Sequence, residues 1–158
     1  MSKKTIFVRD AYDTSQMNSL IFNQEEPVEK IIKTFADSPY CRGIFITDDE
    51  NNLVGVINRI DLLNWAKYRL GAGLTGGFAF SYREIARYAF STKAKDIANV
   101  YGAEAHVKRG DNVLKALDLM LRSSLIDVPV LDDDGKIIGE IKLSEILKKI
   151  IELDRNPP

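Results

Sequence analysis

The stretch DVPVLDDDGKIIGEI, residues 127–141, decides the fold of the second half of the chain. It holds a short apolar run from Val128 to Leu131, an acidic segment at 132–135 that ends in glycine, and a return run from Lys136 to Ile141. Asp and Gly are typical turn residues because they tolerate the backbone conformations that a tight turn requires. Two β-type runs joined by such a turn predict a β-hairpin.

The first half of the chain carries a looser copy of this hairpin. An apolar run from Gly43 to Ile46 leads into the acidic segment 48–52, and the return run extends from Leu53 to Ile57. The turn is one residue longer than in the second half. The repetition indicates that one structural unit occurs twice.

A strand and an amphipathic helix precede each hairpin. The short apolar segments 20–22 and 105–107 align with each other, and a polar turn follows each of them. The apolar positions after each turn have the i, i+3, i+4, i+7, i+8 spacing of a helix; they are Val28, Ile31, Ile32, Phe35 and Ala36 in the first half and Val113, Ala116, Leu117, Met120 and Leu121 in the second. Pro27 is predicted as a first helical residue and Asp111 as an N-cap.

A closing helix follows each hairpin, so each half is a β-α-β-β-α unit. The apolar positions of these helices are Ile60, Leu63 and Leu70 in one half and Leu143, Ile146, Leu147, Ile150 and Ile151 in the other. A unit of about 50 residues is too small to be securely stable alone, so we expect the two copies to pack together.

Residues 127–147 resemble the sequence signature of CBS domains, and residues 45–48 with 53–63 resemble it more loosely. The resemblance covers about residues 5–70 and 92–153, which leaves 71–91 as an inter-repeat linker with a Gly-rich loop and a short helix. It implies an α/β fold of two β-α-β-β-α CBS repeats packed as a pseudo-twofold pair, called a Bateman module. The usual ligands of such modules are AMP, ADP, ATP or S-adenosylmethionine, so we expect a stand-alone regulatory module that binds an adenine nucleotide and requires no cofactor.

Composition narrows the function classes. The chain has 22 basic and 23 acidic residues, whereas a nucleic-acid binder usually carries a basic excess. We therefore expect no binding to a nucleic-acid duplex. No apolar run approaches the roughly 20 residues that cross a bilayer, and the single cysteine fits a reduced cytoplasm. No Ser-His-Asp order, metal-ligand cluster or pair of catalytic carboxylates can be assembled from the sequence, and a single histidine leaves little material for catalysis, so we expect no enzyme activity.

The family's ligand motif is glycine, two apolar residues, Ser or Thr, two variable residues and then Asp. GVINRID, residues 55–61, offers Asn58 and Asp61 at the polar positions. A carboxylate there can accept charge-assisted hydrogen bonds from both ribose hydroxyls. The alternative is a capping box, in which Asn58 caps the helix and Asp61 bonds back to it.

The second repeat departs from this motif. GEIKLSE, residues 139–145, has Lys142 in the Ser or Thr position and Glu145 in place of Asp. Lys142 or Ser144 could contact a phosphate, whereas the alternative is a solvated helix start. We therefore predict a weaker second site at these three residues.

Arg42 precedes the second strand of its repeat, where family members often place a basic residue facing the ligand phosphate. A guanidinium suits that role because it stays charged and binds two oxygens at once; a surface arginine is the alternative. The resemblance also implies that the partner repeat surrounds the adenine, with Ala105, Leu125 and Ile126, which core packing explains equally well. We further expect a homodimer that acts on an unidentified regulated protein; the rival interpretation is a purely structural dimerisation module with a degenerate cleft.

Overall fold

The computed structural model describes residues 4–12, 17–71, 82–98 and 104–155, and these form two similar halves. The first half contains β1 (Leu20–Asn23), α1 (Val28–Ala36), β2 (Ile44–Thr47), β3 (Leu53–Ile57) and α2 (Arg59–Arg69). The helix α3 (Tyr82–Ala89) of the inter-repeat segment follows, and then α4 (Ala94–Ile97) at the start of the second repeat. The second half contains β4 (Val107–Lys108), α5 (Val113–Ser123), β5 (Asp127–Leu131), β6 (Ile137–Lys142) and α6 (Leu143–Arg155).

Each half has a three-stranded sheet in which its first strand runs parallel to the second, and the second runs antiparallel to the third. The two predicted hairpins, β2–β3 and β5–β6, are confirmed. Their turns use the same chemistry, because Asp48 accepts hydrogen bonds from backbone N–H groups two and four residues on, and Asp132 does likewise. Each turn also has one left-handed residue, Asn51 in the first and Gly135 in the second, which is a conformation that Asn and Gly tolerate. The predicted β-α-β-β-α order of both repeats is therefore correct.

The sheet of the first repeat is buried on both faces. Ile44 and Ile46 point into a core shared with α1 and α4, whereas Phe45 and Val56 join the core of the second repeat. Alternate residues of a strand face opposite sides of the sheet, so this division follows from the run of four consecutive apolar or buried positions in β2. The two repeats thus share apolar surface that neither could cover alone.

The N-terminal segment of each repeat packs on the other repeat. Ile6 and Val8 lie in the core of the second repeat, where the Val8 N–H donates to the Asp111 carbonyl at 2.8 Å. In the same way α4 lies in the core of the first repeat, and the Ala94 N–H donates to the Glu26 carbonyl at 2.8 Å. Each segment adds buried apolar side chains to the core of the other repeat, and a unit this small could not bury enough apolar surface alone.

Two predicted helix starts are wrong by one residue. The N-cap of α5 is Asn112, whose side chain accepts from the Leu114 N–H at 2.9 Å. Asp111 instead accepts from Lys108 N–H and from the Lys115 ammonium group. Pro27 is the N-cap of α1, with extended backbone, because the helical conformation begins at Val28. The predicted Gly-rich loop lies, apart from its first residue, outside the described residues, as does the predicted cap Ser81.

Candidate ligand-binding cleft between the repeats

A cavity of about 410 Å³ opens between the two repeats, and we call it cleft 1. Its walls are formed by Arg42, Asn58, Arg59, Ile60, Leu63, Ser124, Leu125 and Ile126. The first five come from the first repeat, and the last three come from the connection between α5 and β5. Four of the residues predicted from the sequence (Arg42, Asn58, Leu125 and Ile126) therefore line one cavity.

Local chain geometry places these side chains. Arg42 lies two residues before the start of β2, and its exposed side chain lines cleft 1. Asn58 lies between β3 and α2 in extended conformation, which turns the chain into the helix that carries Ile60 and Leu63. Ser124 ends α5 in the left-handed conformation (φ 53°) and directs the chain towards β5.

The lining of cleft 1 is basic and apolar. Arg42 and Arg59 bring two guanidinium groups, and among the described residues that line the cleft none is acidic. Ile60, Leu63 and Ile126 are each about half exposed, so they offer apolar surface that the protein's own core does not cover. This combination suits a ligand with an anionic end and an apolar face.

Asn58 connects the cleft to both repeats. Its side-chain oxygen accepts from the Asp61 N–H at 2.9 Å, which caps α2. Its side-chain Nδ2 donates to the Ser123 carbonyl at 3.1 Å, across to the last residue of α5. The Asn58 side chain therefore caps the start of α2 and also joins the first repeat to the second by a hydrogen bond.

Asp61 is 3% exposed and does not line cleft 1. Its Oδ2 accepts from the Asn58 N–H at 2.9 Å, so the predicted capping box is present. Its Oδ1 accepts from the Arg87 guanidinium at 2.7 Å and from the Tyr88 hydroxyl at 3.0 Å. Burial raises the pKa of Asp61, and the Asn58 N–H and the Arg87 charge act in the opposite direction. The ribose role of Asp61 stays a prediction.

Ala105 lies in the core of the second repeat, 2% exposed, and is not among the lining residues of cleft 1. Its proposed contact with an adenine base stays a prediction.

The pseudo-symmetric position in the second repeat has different chemistry. Lys142 is 7% exposed, and its ammonium nitrogen lies 4.0 Å from a Glu140 oxygen and 3.9 Å from a Glu145 oxygen. Ser144 is exposed on α6. Glu145 lines a separate surface cavity of about 320 Å³ with Asp10 and residues of α6. The three residues predicted for the weaker site do not line one common cavity among those found in the described part of the chain.

Asp127 is the counterpart of Arg42 and lies opposite Lys142 in the β5–β6 pairing. It is 1% exposed, and neither carboxylate oxygen has a hydrogen-bond partner within the part of the chain that the structure describes. Burial raises the pKa of Asp127 to about 6, assisted by the negative charge of Glu140, while Arg42 and Lys142 act in the opposite direction. Glu140 is itself fully buried, and its carboxylate accepts from the Ser19 hydroxyl and the Asn18 N–H. The second repeat therefore has acidic side chains at the position where the first repeat has the basic lining of cleft 1.

Residues 4–12, 17–71, 82–98 and 104–155 contain no group of three His, Cys, Asp or Glu side chains that could hold a metal ion. None of the helices in these ranges is long and apolar enough to cross a membrane.

The family model of the CBS domain matches residues 8–68 and 95–152. The chain belongs to the CBS-domain family. The two matched segments correspond to the two halves of the fold, so the chain is a tandem CBS pair, as the sequence predicts. A search of curated proteins finds no match.

Solved structures of CBS pairs share this architecture. A CBS domain-containing protein from Thermotoga maritima matches with a TM-score of 0.71 and 22% identity, covering 93% of this chain and 95% of that one. CBSX2 from Arabidopsis thaliana matches with a TM-score of 0.65 and 20% identity, covering 97% and 99%. CBSX2 has also been solved in complex with AMP, with a TM-score of 0.64 to this chain, 21% identity, and 94% and 98% coverage. At these identities the similarity establishes the fold.

Sequence reasoning missed four residues that line the cleft of this CBS pair: Arg59, Ile60, Leu63 and Ser124. Arg59 and Ile60 occupy the variable positions of the GVINRID motif. The helical period could have placed Leu63 on the same side of α2 as these two residues, since it follows them by four and three positions. Arg87 and Tyr88 were missed as partners of Asp61 because they lie 26 and 27 residues away in a segment that the repeat alignment does not cover.

Proposed function

We propose that cleft 1 binds an adenine nucleotide and that the chain is a regulatory binding module rather than an enzyme. The observation that supports this most strongly is that two arginines, Arg42 and Arg59, stand beside an apolar wall, with no acidic side chain among the described lining residues. A guanidinium binds phosphate oxygens in pairs and stays charged at any physiological pH.

The apolar wall suits the base. Ile60, Leu63, Leu125 and Ile126 can enclose a flat, weakly polar ring, and the cavity of about 410 Å³ is within the usual range for small-molecule sites. We propose that Asn58 contacts the sugar or phosphate and that Asp61 accepts from the ribose hydroxyls. Ala105 is the remaining proposed neighbour of the base.

Two structural neighbours support the ligand class. CBSX2 has been solved in complex with AMP. The cytosolic domain of the Mg²⁺ channel MgtE has been solved in complex with ATP, and it matches with a TM-score of 0.58 and 16% identity over 90% of this chain and 51% of that one. We propose AMP, ADP or ATP for this chain, with S-adenosylmethionine as a further possibility and no cofactor.

We propose one principal site. The acidic pair Asp127 and Glu140 stands where the second cleft would need a phosphate-binding group, and like charges repel a phosphate. Lys142, Ser144 and Glu145 therefore form, at most, the weaker site. Binding in cleft 1 would act on a regulated cytoplasmic partner by favouring one arrangement of the repeats over another.

One observation favours the alternative of a structural dimerisation module. The closing helices expose apolar side chains, among them Leu63 on α2 and Leu147 and Ile151 on α6, each about half exposed. The carboxylate of Asp61 is already engaged by protein groups. A module of this kind would dimerise and leave cleft 1 empty.

A thermal-shift screen with AMP, ADP, ATP and S-adenosylmethionine separates the two functions. A ligand at 100 times its Kd adds about 2.7 kcal/mol to the free energy of unfolding, so a true ligand raises the Tm by several degrees. We expect at least one adenine nucleotide to do so, and inorganic phosphate at equal concentration to leave the Tm unchanged. No shift with any of the four compounds at millimolar concentration would favour the dimerisation module.

A further inference from the structure

Two side chains of the inter-repeat helix α3 form hydrogen bonds with the carboxylate of Asp61, the acidic residue of the ligand motif in the first repeat. Arg87 and Tyr88, neighbours on α3, both donate to Oδ1 of Asp61, at 2.7 and 3.0 Å. Oδ2 of the same carboxylate accepts from the Asn58 N–H at 2.9 Å. The pair Arg87 and Asp61 also forms a salt bridge in which the Asp61 side chain is 4% exposed and the Arg87 side chain is 25% exposed.

These three hydrogen bonds use most of the acceptor capacity of the carboxylate. An ionised carboxylate offers about four lone-pair sites, and a ribose diol donates two hydrogen bonds. With Asn58, Arg87 and Tyr88 bound, one acceptor position is left. A nucleotide can therefore bind both ribose hydroxyls to Asp61 only if at least one donor of α3 withdraws from Oδ1.

The surroundings of α3 allow the two donors to withdraw without losing all their contacts. The Arg87 guanidinium also donates to the Ile97 carbonyl, from Nε at 3.0 Å and from Nη2 at 2.7 Å. The Tyr88 ring stacks on the Tyr68 ring of α2, with centroids 5.8 Å apart and planes 15° from parallel. Arg87 thus keeps an acceptor on α4, and Tyr88 keeps its ring contact, when Asp61 takes another partner.

We propose that Arg87 and Tyr88 are affinity-determining residues that compete with a nucleotide's ribose for the carboxylate of Asp61. This rests on the proposed function of cleft 1 and adds a role for the segment between the repeats. A nucleotide whose ribose bonds to Asp61 displaces Arg87 or Tyr88 from the carboxylate and so loosens the contact between α3 and α2. Conversely, a partner that holds α3 against α2 weakens nucleotide binding. The segment that joins the repeats thereby becomes the element through which occupancy of cleft 1 is transmitted.

The test compares AMP with 2′,3′-dideoxy-AMP, which lacks both ribose hydroxyls, by calorimetry on the full chain. Tyr88→Phe removes one donor to Asp61 and keeps the ring stack, and Arg87→Met removes the other while keeping an apolar stem. Tyr68→Phe is the matched control, since it removes a hydroxyl from the other ring of the stack. We expect Tyr88→Phe and Arg87→Met to bind AMP about three- to tenfold more tightly than the wild type, since one freed acceptor adds about one net hydrogen bond. We expect the affinity for dideoxy-AMP to stay unchanged.

The outcomes separate this inference from the proposed function. If the variants bind AMP no more tightly than the wild type, or gain equally for AMP and dideoxy-AMP, the competition is refuted while nucleotide binding stands. If neither the wild type nor the variants bind AMP, both are refuted. Should Arg87→Met fail to fold because Asp61 is left as a buried charge, Tyr88→Phe still decides, because it leaves the salt bridge in place.

Discussion

The side-chain Nδ2 of Asn58, in the first repeat, donates to the Ser123 carbonyl, in the second repeat, at 3.1 Å. The carbonyl belongs to the last residue of α5, where no further helical N–H is available to it. The same Asn58 caps α2 through its side-chain oxygen. A lining residue of cleft 1 is thus also a hydrogen-bonded connection between the repeats, which ties the shape of the cleft to the packing of the pair.

Asn58→Asp tests this connection because Asp is an equally good N-cap but cannot donate to a carbonyl. We expect the free energy of unfolding to fall by about 1–3 kcal/mol, since the Ser123 carbonyl loses its donor and faces a negative charge. Asn112→Asp at the N-cap of α5 is the matched control, with an expected change within about 0.5 kcal/mol. Urea unfolding followed by circular dichroism measures both, and equal effects of the two substitutions would contradict the account.

Asp127 predicts a specific pH dependence of stability. Its pKa in the folded chain is about 6, above its ordinary value of 3.8, so the folded state binds this proton more tightly than the unfolded state does. Its contribution to stability therefore falls as pH rises from about 4 to about 6, and is constant above that. Asp127→Asn removes the titration. We expect the free energy of unfolding of Asp127→Asn, relative to the wild type, to increase by about 2–3 kcal/mol between pH 4 and pH 7.5. Parallel curves for the two proteins across this range would exclude a raised pKa.

The closing helices predict a homodimer. Leu143, Leu147, Ile150 and Ile151 of α6 expose apolar surface in a single chain, and burying it against a second copy is favourable. Light scattering at micromolar concentration should give twice the 17.8 kDa chain mass. Leu147→Lys should shift the mass towards the monomer, and Leu121→Lys on α5 serves as the control. A wild-type mass of one chain would refute the dimer.

A binding module leaves its ligand chemically intact. The lining residues of cleft 1 that lie in the described ranges include no carboxylate or histidine to act as a base. ATP incubated with the protein and magnesium should therefore remain ATP by chromatography over hours. Hydrolysis that scales with protein concentration and persists through repurification would contradict the proposal that the chain is not an enzyme.

The sequence predicted what depends on local pattern. The helical period of α1 and α5 and the acidic turns of both hairpins were sufficient to place these elements, because the period and the turn chemistry are local properties. The helix α4 and the buried Val8 were not predicted, because they pack on the repeat to which they do not belong. Apolar burial against a distant segment leaves no periodic signal in a stretch as short as four residues.

The sequence predicted some residues of the candidate site and missed others. Asn58 was predicted from the ligand motif and Arg42 from its position before the second strand, and the structure brings them together with Leu125 and Ile126. The engagement of Asp61 could not be predicted, because the donors Arg87 and Tyr88 come from the segment between the repeats. Arg59, the second arginine that lines cleft 1, was not predicted because it occupies a variable position at which the motif carries no information.

The central claim is that cleft 1 holds the phosphate of an adenine nucleotide with its two arginines, and calorimetric titration of AMP and ATP tests it most directly. Arg42→Gln and Arg59→Gln each remove one charge from the lining, and Arg155→Gln removes one from the end of α6, away from the cleft. We predict that the wild type and Arg155→Gln bind one nucleotide per chain with equal Kd. We predict that Arg42→Gln or Arg59→Gln weakens binding about tenfold or more, since a charge-assisted hydrogen bond contributes about 1.5–3 kcal/mol. Nucleotide binding that is unaffected by both cleft substitutions, or no binding by the wild type, would contradict the account.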